Sequence, residues 1–129
     1  MKKAFLGSFI ASLMFLFTAP ASADSILHIW NCKLNEGKTD DDLVAVSQAW
    51  LKAARTMDGG ADASVSLGFP LAADAGDGMF SFVFRVDDAK TWGVFMNDYE
   101  NSAAGEADEA WAEVATCSKS SLIDSVDVE

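Results

Sequence analysis

Residues 28 to 32, His-Ile-Trp-Asn-Cys, place a histidine, a tryptophan and a cysteine on alternate positions. An imidazole titrates near neutral pH and a thiolate is a nucleophile, so His28 and Cys32 could act as a base and a nucleophile. The stretch has the composition of a strand, in which each residue rises about 3.3 Å. Four residues then separate the two side chains by about 13 Å, so they can neither touch nor share one metal ion.

Three side chains are candidates for catalysis: His28, Asn31 and Tyr99. His28 is the only histidine in the chain. It is a general base in one interpretation and a hydrogen-bonded packing residue in the other. The sequence contains no nucleophile motif, phosphate-binding loop or zinc-ligand spacing. The residue types therefore allow acid–base chemistry without indicating a particular reaction.

Three further side chains are candidates for ligand binding: Trp30, Arg85 and Trp92. Arg85 is the only arginine in a predicted strand, where it could hold an anionic ligand bidentately or form a salt bridge on an acidic surface. The tryptophans could line an aromatic pocket or pack in the core, and the same two interpretations apply to the other large polar aromatics, Trp50, Tyr99 and Trp111.

Two acidic stretches could be mistaken for metal sites. Thr39 is followed by three aspartates at 40 to 42, a pattern that caps a helix N-terminus and favours the positive end of its dipole. Asp74, Asp77 and Gly78 resemble part of a calcium loop, but the carboxylate spacing of an EF-hand is absent. We expect a helix cap and a turn, and no metal site and no cofactor.

Residues 1 to 23 have the three parts of a secretory signal peptide. Lys2 and Lys3 are followed by an apolar run from 4 to 17, and Ala21-Ser22-Ala23 forms a small-residue cleavage site. A transmembrane anchor is the alternative, but about 20 apolar residues are needed to cross a bilayer. We expect cleavage after Ala23, one domain from 24 to 129, and a periplasmic or secreted bacterial protein.

The charge of the remaining chain excludes some partners. Without Lys2 and Lys3 the 9 basic side chains become 7 against 20 acidic ones, so the net charge changes from −11 to −13. Such a surface argues against nucleic acid and against anionic membranes as partners. The two cysteines, Cys32 and Cys117, are an even count in an exported chain and indicate a disulfide, with a catalytic thiol as the alternative.

The hydrophobic pattern predicts the elements that position these residues. Strands are expected at 25–34, 63–71, 79–86 and 119–128. Helices are expected from Thr39 to the Gly59-Gly60 pair, at 88–100 and at 106–116. The order predicts a ferredoxin-like α+β fold, βαββαβ, with a four-stranded antiparallel sheet in the order 4-1-3-2 and helices on one face. The first and last strands are then neighbours, which brings Cys32 near Cys117.

Both faces of the predicted sheet carry apolar residues. Phe80, Phe82 and Phe84 alternate with Met79 and Val83 in the third strand, and the first strand shows the same pattern. The pattern does not decide which set faces the helices. An apolar face left open would be an unusual surface for a monomer. We expect a homodimer built across the sheet; the alternative is a monomer whose segment 101–118 covers the open face.

Three segments resemble a known family: "HIWNCKLNEGKTDDDL" at 28–43, a helix containing "AWLKAA" and a late "ATCSKSSL". They resemble dimeric α/β-barrel proteins of the antibiotic-biosynthesis monooxygenase-like superfamily, and more closely a group of small exported bacterial proteins of unassigned function. The resemblance covers residues 25 to 128. It implies a ferredoxin-like fold, and activities that include cofactor-free oxygenases, isomerases and haem-degrading enzymes. The haem-degrading branch has a helical histidine that the helix at 88–100 lacks, although Asn31 and Trp92 could fill its other two roles.

Two classes of function follow. One is an exported, homodimeric module that binds a small apolar ligand. The other is a cofactor-free oxygenase or isomerase that uses His28, Asn31 or Tyr99. A tightly filled space between sheet and helices would favour a module, and a polar cluster opening into a cavity would favour an enzyme.

Overall fold

The computed structural model of the protein describes residues 24–71 and 76–128. The predicted signal peptide and part of the predicted loop at 72–78 lie outside the described residues. The elements are β1 (Ser25–Leu34), α1 (Asp40–Ala54), β2 (Ser64–Gly68), β3 (Met79–Val86), α2 (Ala89–Asn97), a 3₁₀ turn (Tyr99–Asn101), α3 (Ala103–Val114) and β4 (Ala115–Ser125). No helix within these ranges is long and apolar enough to cross a membrane.

The four strands form one antiparallel sheet in the order β2-β3-β1-β4. The first and last strands are neighbours, with Leu27 opposite Ile123 and Cys32 opposite Cys117. The predicted ferredoxin-like α+β fold and its strand order are therefore confirmed. Cys32 and Cys117 form a disulfide that joins β1 to β4 across 85 residues of chain.

The cap of α1 is the one predicted from the run of aspartates. The Thr39 hydroxyl accepts the backbone N–H of Asp42, and the Asp42 carboxylate accepts the backbone N–H of Thr39. These reciprocal bonds satisfy two groups that a helix N-terminus would otherwise leave unpaired. The Asp42 carboxylate accepts hydrogen bonds from both the backbone N–H and the hydroxyl of Thr39, and these lower the pKa of Asp42 because they stabilise its charged form.

The predicted start of the last helix is wrong by three residues. α3 begins at Ala103, because the Ser102 hydroxyl accepts the backbone N–H of Gly105 and caps the helix there. A side chain at Gly105 would collide with the carbonyl oxygen of Tyr99, so only glycine lets α3 start directly against the 3₁₀ turn.

The predicted start of the last strand is also wrong. β4 begins at Ala115, directly after α3, and not at residue 119. The register against β1 shifts between Asn31 and Cys32, which leaves Ser118 as an extra residue in β4. A bulge of this kind interrupts the two-residue alternation. That interruption explains why the sequence pattern did not extend the strand back to Cys117.

All described helices pack on the same face of the sheet. Trp50 of α1 contacts Phe82 and Phe84, Phe95 of α2 contacts Phe84, and Trp111 of α3 contacts Phe82. The face that carries the phenylalanines of β3 therefore meets the helices. Because α3 lies on that face, the alternative in which segment 101–118 covers the opposite face is wrong.

The opposite face of the sheet is not covered by any described element. Its centre is formed by Leu27 and Ile29 of β1 and Met79 and Val83 of β3, with Ile123 of β4 beside them, 41% exposed. We call these five residues the open apolar patch.

Candidate ligand-binding cavity

A cavity of about 520 Å³ lies between the covered face of the sheet and the helices. Its walls come from β1, β3, β4 and all three helices, together with the 3₁₀ turn. Six of the lining side chains are tryptophans or phenylalanines: Trp30, Trp50, Phe82, Phe84, Phe95 and Trp111. The space between sheet and helices is therefore not tightly filled.

The aromatic walls are held by edge-to-face packing. The ring of Trp50 is perpendicular to Phe82, with centroids 5.4 Å apart, and makes a similar contact with Phe84. The indole of Trp111 donates to the Ser47 hydroxyl at 3.2 Å, which satisfies its buried N–H. Such packing fixes ring orientation and adds stability beyond the burial of apolar area. The cavity walls are thus part of the core and not loose surface side chains.

Polar groups enter the cavity wall in a chain of two hydrogen bonds. The Trp50 indole Nε1–H donates to the Tyr99 hydroxyl at 2.8 Å, and that hydroxyl donates to Asp108 Oδ2 at 2.9 Å. All three side chains line the cavity. They come from α1, the 3₁₀ turn and α3, so the early start of α3 described above is what brings Asp108 to Tyr99.

Burial shifts the pKa of both ionisable groups in the hydrogen-bond chain. Burial raises the pKa of the Asp108 carboxyl, while hydrogen bonds from Tyr99 and Trp50 act in the opposite direction. Burial and the neighbouring negative Asp108 raise the pKa of Tyr99 far above its usual value. Tyr99 therefore keeps its proton at neutral pH and remains a donor. Asp108 is the group of the chain that can exchange a proton.

His28 lies on the β1 wall of the cavity. Its ring stacks on Trp30, with centroids 3.6 Å apart, and its Nδ1 accepts the Trp92 indole N–H at 3.4 Å. Burial lowers the pKa of His28, so the ring is neutral at neutral pH. With Nδ1 accepting, the ring hydrogen is on Nε2. His28 then offers a hydrogen-bond donor and not the free lone pair of a general base.

The structure brings only some of the predicted site residues together. His28, Trp30 and Tyr99 line the cavity, and Trp92 holds His28 from α2.

Asn31 and Arg85 do not belong to this group. Both are exposed, and both lie at positions of β1 and β3 that face the open side of the sheet. The Asn31 amide oxygen accepts a 3.4 Å hydrogen bond from the Ser81 hydroxyl on that side. Neither side chain can serve the cavity of its own chain.

The amphipathic pattern of residues 106–116 places Ala107, Ala110, Trp111 and Val114 on the inner face of the helix and Asp108 on the outer face. Trp111 and Val114 are buried as predicted. Asp108 lines the cavity, so its predicted position on the outer face is wrong. A carboxylate at a helical step from Trp111 was the signal that could have identified it.

No metal centre is formed by the described residues, since no three His, Cys, Asp or Glu side chains within 24–71 and 76–128 are grouped to hold an ion. Cys117 lines the cavity, but its sulfur is bonded to Cys32 and is not a free thiol.

Solved structures with the same fold were found, although neither a protein-family model nor a curated protein matches this chain in sequence. SnoaB, a cofactor-independent oxygenase from Streptomyces nogalater, is 9% identical with a TM-score of 0.55, over 82% of this chain and 97% of that one. A hydroxynitrile lyase from Passiflora edulis is 15% identical with a TM-score of 0.51, over 83% and 96%. A dimeric ferredoxin-like protein of unknown function from Thermobifida fusca is 19% identical with a TM-score of 0.47, over 81% and 92%.

These comparisons concern architecture. At 9% and 15% identity the likeness to the first two structures shows a shared fold and no shared chemistry. That fold is the one which the resemblance to the monooxygenase-like superfamily predicted. The chain therefore shares its fold with these two structures, in agreement with the strand order of its own sheet.

Proposed function

We propose that this protein is an exported, homodimeric module that binds one small, largely apolar aromatic ligand in the cavity of each chain. The observation that carries the proposal is the cavity itself, which has aromatic walls and only a few polar groups. Its volume of about 520 Å³ falls in the range of roughly 300–1,000 Å³ typical of small-molecule sites. Flat ring systems fit such walls, because offset stacking and edge-to-face contacts are favourable at every wall.

Filling the cavity tests this proposal without removing a core side chain. Ala112 and Ala110 are both exposed on α3, but of the two only Ala112 lines the cavity. Ala112→Trp should lower the affinity for aromatic compounds by at least tenfold, and Ala110→Trp should leave it unchanged. Isothermal titration with two-ring aromatic alcohols measures both. Equal affinity of the two variants would place any binding elsewhere and contradict the proposal.

A second function, cofactor-free oxygenase or isomerase, is supported by the hydrogen-bond chain. A polar cluster opening into a cavity is the feature expected of an enzyme, so this function stands beside the binding module, for which the cavity alone is sufficient. The Tyr99–Asp108 pair is such a cluster. Asp108 would remove a proton from a substrate O–H or activated C–H, and Tyr99 and His28 would donate hydrogen bonds to the oxygen that becomes negative. SnoaB, a cofactor-independent oxygenase, is similar to this chain in fold alone.

Proton abstraction can be measured once a bound ligand is identified. In D₂O the protein should exchange an activated C–H hydrogen of that ligand for deuterium, and Asp108→Asn should abolish the exchange. Glu109→Gln is the matched control, because Glu109 is the next residue of α3 and is exposed. An oxygenase would in addition transfer oxygen atoms from air to the ligand. A ligand that binds but undergoes neither change would leave the binding module as the function.

The homodimer is supported by the open apolar patch, formed by Leu27, Ile29, Met79, Val83 and Ile123. Pairing two such faces would remove apolar area from water at about 25 cal/mol per Å², against the entropy of association. Val83→Lys, at the centre of the patch, should give a monomer in light scattering. Val94→Lys is the control, since Val94 is exposed on α2, on the other side of the sheet. A wild-type monomer that persists at high micromolar concentration would rule out the dimer.

Export is supported by the disulfide, because such bonds persist in oxidising compartments and are rare in the cytosol. We propose that residues 1 to 23 are the removed signal peptide and that Asp24 is the mature N-terminus. Sequencing the N-terminus of protein from the periplasm or the medium tests this. A mature chain that retains Lys2 and Lys3 would contradict it.

A further inference from the structure

Among the described residues, the cavity lining contains one acidic side chain, Asp108, and no lysine or arginine. His28 is neutral for the reason given above. A ligand with a carboxylate or phosphate would therefore meet a like charge without a counter-charge. A ligand with a positive charge would meet an opposite one.

Asp108 still has room to bind a ligand group. Its Oδ2 accepts the Tyr99 hydroxyl, but a carboxylate has about four lone-pair sites over its two oxygens. Burial of this carboxylate removes water that would stabilise its charge, as the direction of its pKa shift indicates. A cation bound beside it would replace that lost stabilisation, because an opposite charge favours the ionised form.

The aromatic walls suit the same kind of ligand. Trp111 is three residues from Asp108 on α3, so both side chains lie on one face of that helix. Trp50 is linked to Asp108 through Tyr99. The faces of tryptophan rings attract ammonium groups.

The charge of the whole chain acts in the same direction. With 20 acidic against 9 basic side chains, the surface potential attracts cations towards the cavity mouth and repels anions. A neutral phenol or alcohol could also donate to Asp108, and this is the main alternative. It would use the carboxylate but would gain nothing from the tryptophan faces as cation sites or from the net charge.

We infer that the ligand of the cavity is an aromatic organic cation, whose ammonium group binds Asp108 and the neighbouring tryptophan faces while its ring system occupies the apolar walls. This inference deepens the proposed function and rests on it. It assigns a binding role to Asp108 and a charge to the ligand.

Three compounds that share one ring system and differ in charge test the inferred positive charge of the ligand separately from the proposed binding of aromatic compounds. We would titrate the protein with 2-(1-naphthyl)ethylamine, 2-(1-naphthyl)ethanol and 1-naphthylacetate by calorimetry at neutral pH. The amine should bind about tenfold more tightly than the alcohol, as expected for a partly desolvated cation–π contact with an ionic partner. The acetate should bind most weakly. Binding of the alcohol with no advantage for the amine would overturn this inference and leave the proposed function intact, whereas binding of none of the three would overturn both.

The variant Asp108→Asn tests whether Asp108 causes the preference for the amine over the alcohol. It should reduce the affinity for the amine to that of the alcohol and leave the affinity for the alcohol within about twofold. The control Glu109→Gln removes one charge from the exposed side of the same helix and should keep the preference. If both variants lose the preference equally, net charge and not Asp108 selects the ligand, and the assignment of Asp108 is wrong. Circular dichroism of each variant checks that it is folded.

Discussion

Removing the Tyr99 hydroxyl tests the hydrogen-bond chain at its centre. The hydroxyl accepts from Trp50, a residue only 3% exposed, and donates to Asp108. Tyr99→Phe keeps the ring and its contacts with Phe95 and Trp50. It leaves a buried indole N–H without this acceptor and a partly buried carboxylate without this donor.

The expected cost follows from those two groups. A buried donor left unsatisfied costs about 1–3 kcal/mol, and a hydrogen bond to a charged group contributes about 1.5–3 kcal/mol. Trp50 and Asp108 can move towards each other and recover part of this, so we expect a net loss of about 2 kcal/mol. With a urea dependence of about 1–3 kcal/mol per M, the midpoint of unfolding should fall by about 1 M.

Urea unfolding of the oxidised protein, followed by tryptophan fluorescence and circular dichroism, measures this loss. Ser118→Ala is the control, because it removes an exposed hydroxyl that makes only a 3.5 Å contact with the Asn31 carbonyl oxygen. It should change stability by less than about 0.5 kcal/mol. A Tyr99→Phe protein as stable as the wild type would refute the role given to the hydroxyl, and with it the geometry that places Asp108 in the cavity wall.

Three further predictions concern charge and covalent structure. Burial raises the pKa of Asp108 above its ordinary value of 3.8, so the folded state binds a proton more tightly than the unfolded state and stability falls as pH rises through the raised pKa. Urea midpoints measured from pH 3.5 to 7 should show this fall in the wild type and not in Asp108→Asn. Curves of midpoint against pH that run parallel for the two proteins would contradict the prediction. Reduction of the Cys32–Cys117 bond, which closes an 85-residue separation, should cost about 4.5 kcal/mol on the chain-entropy model, and two thiols labelled in the unreduced, denatured protein would show that the bond is absent. Titration with calcium or magnesium should show no saturable site below millimolar concentration, since Thr39 to Asp42 form a helix cap; a stoichiometric micromolar site would overturn that interpretation.

Much of the fold follows from local pattern. The bounds of β1 and β3 were predicted to the residue, because both strands are rich in large apolar side chains, and turns follow β1 and precede β3. The strand order followed from the order of elements. β4 was placed too late, since the bulge at Ser118 breaks its alternation and the disulfide, not apolar content, ties its first residues to β1.

The site was less predictable than the fold. His28, Trp30 and Tyr99 were identified as candidates from residue type, and they do lie together. Asn31 lies on the same strand as His28, but its side chain points to the opposite face of the sheet. Residue type alone could not have excluded Asn31 from the site. The place of Asp108 in the cavity wall was not predicted. The start of α3 was not predicted either, because it depends on a serine cap and on a glycine contact with the 3₁₀ turn.

The presence of a cavity was not predictable from periodicity. A helical face that carries Trp50 or Trp111 indicates burial, but burial in a filled core and burial around a cavity give the same spacing. The difference lies in how completely the side chains fill the space between helices and sheet, which periodicity does not describe.

Native mass spectrometry of the protein purified from its own host measures dimerisation and ligand binding together. We expect twice the mass of the mature chain, plus one small molecule per chain that is retained in wild type and lost in Ala112→Trp. The retained molecule should be aromatic and should carry a positive charge in solution. A protein whose mass is that of the polypeptide alone, and which gains no adduct when the naphthyl compounds are added at millimolar concentration, would contradict the account.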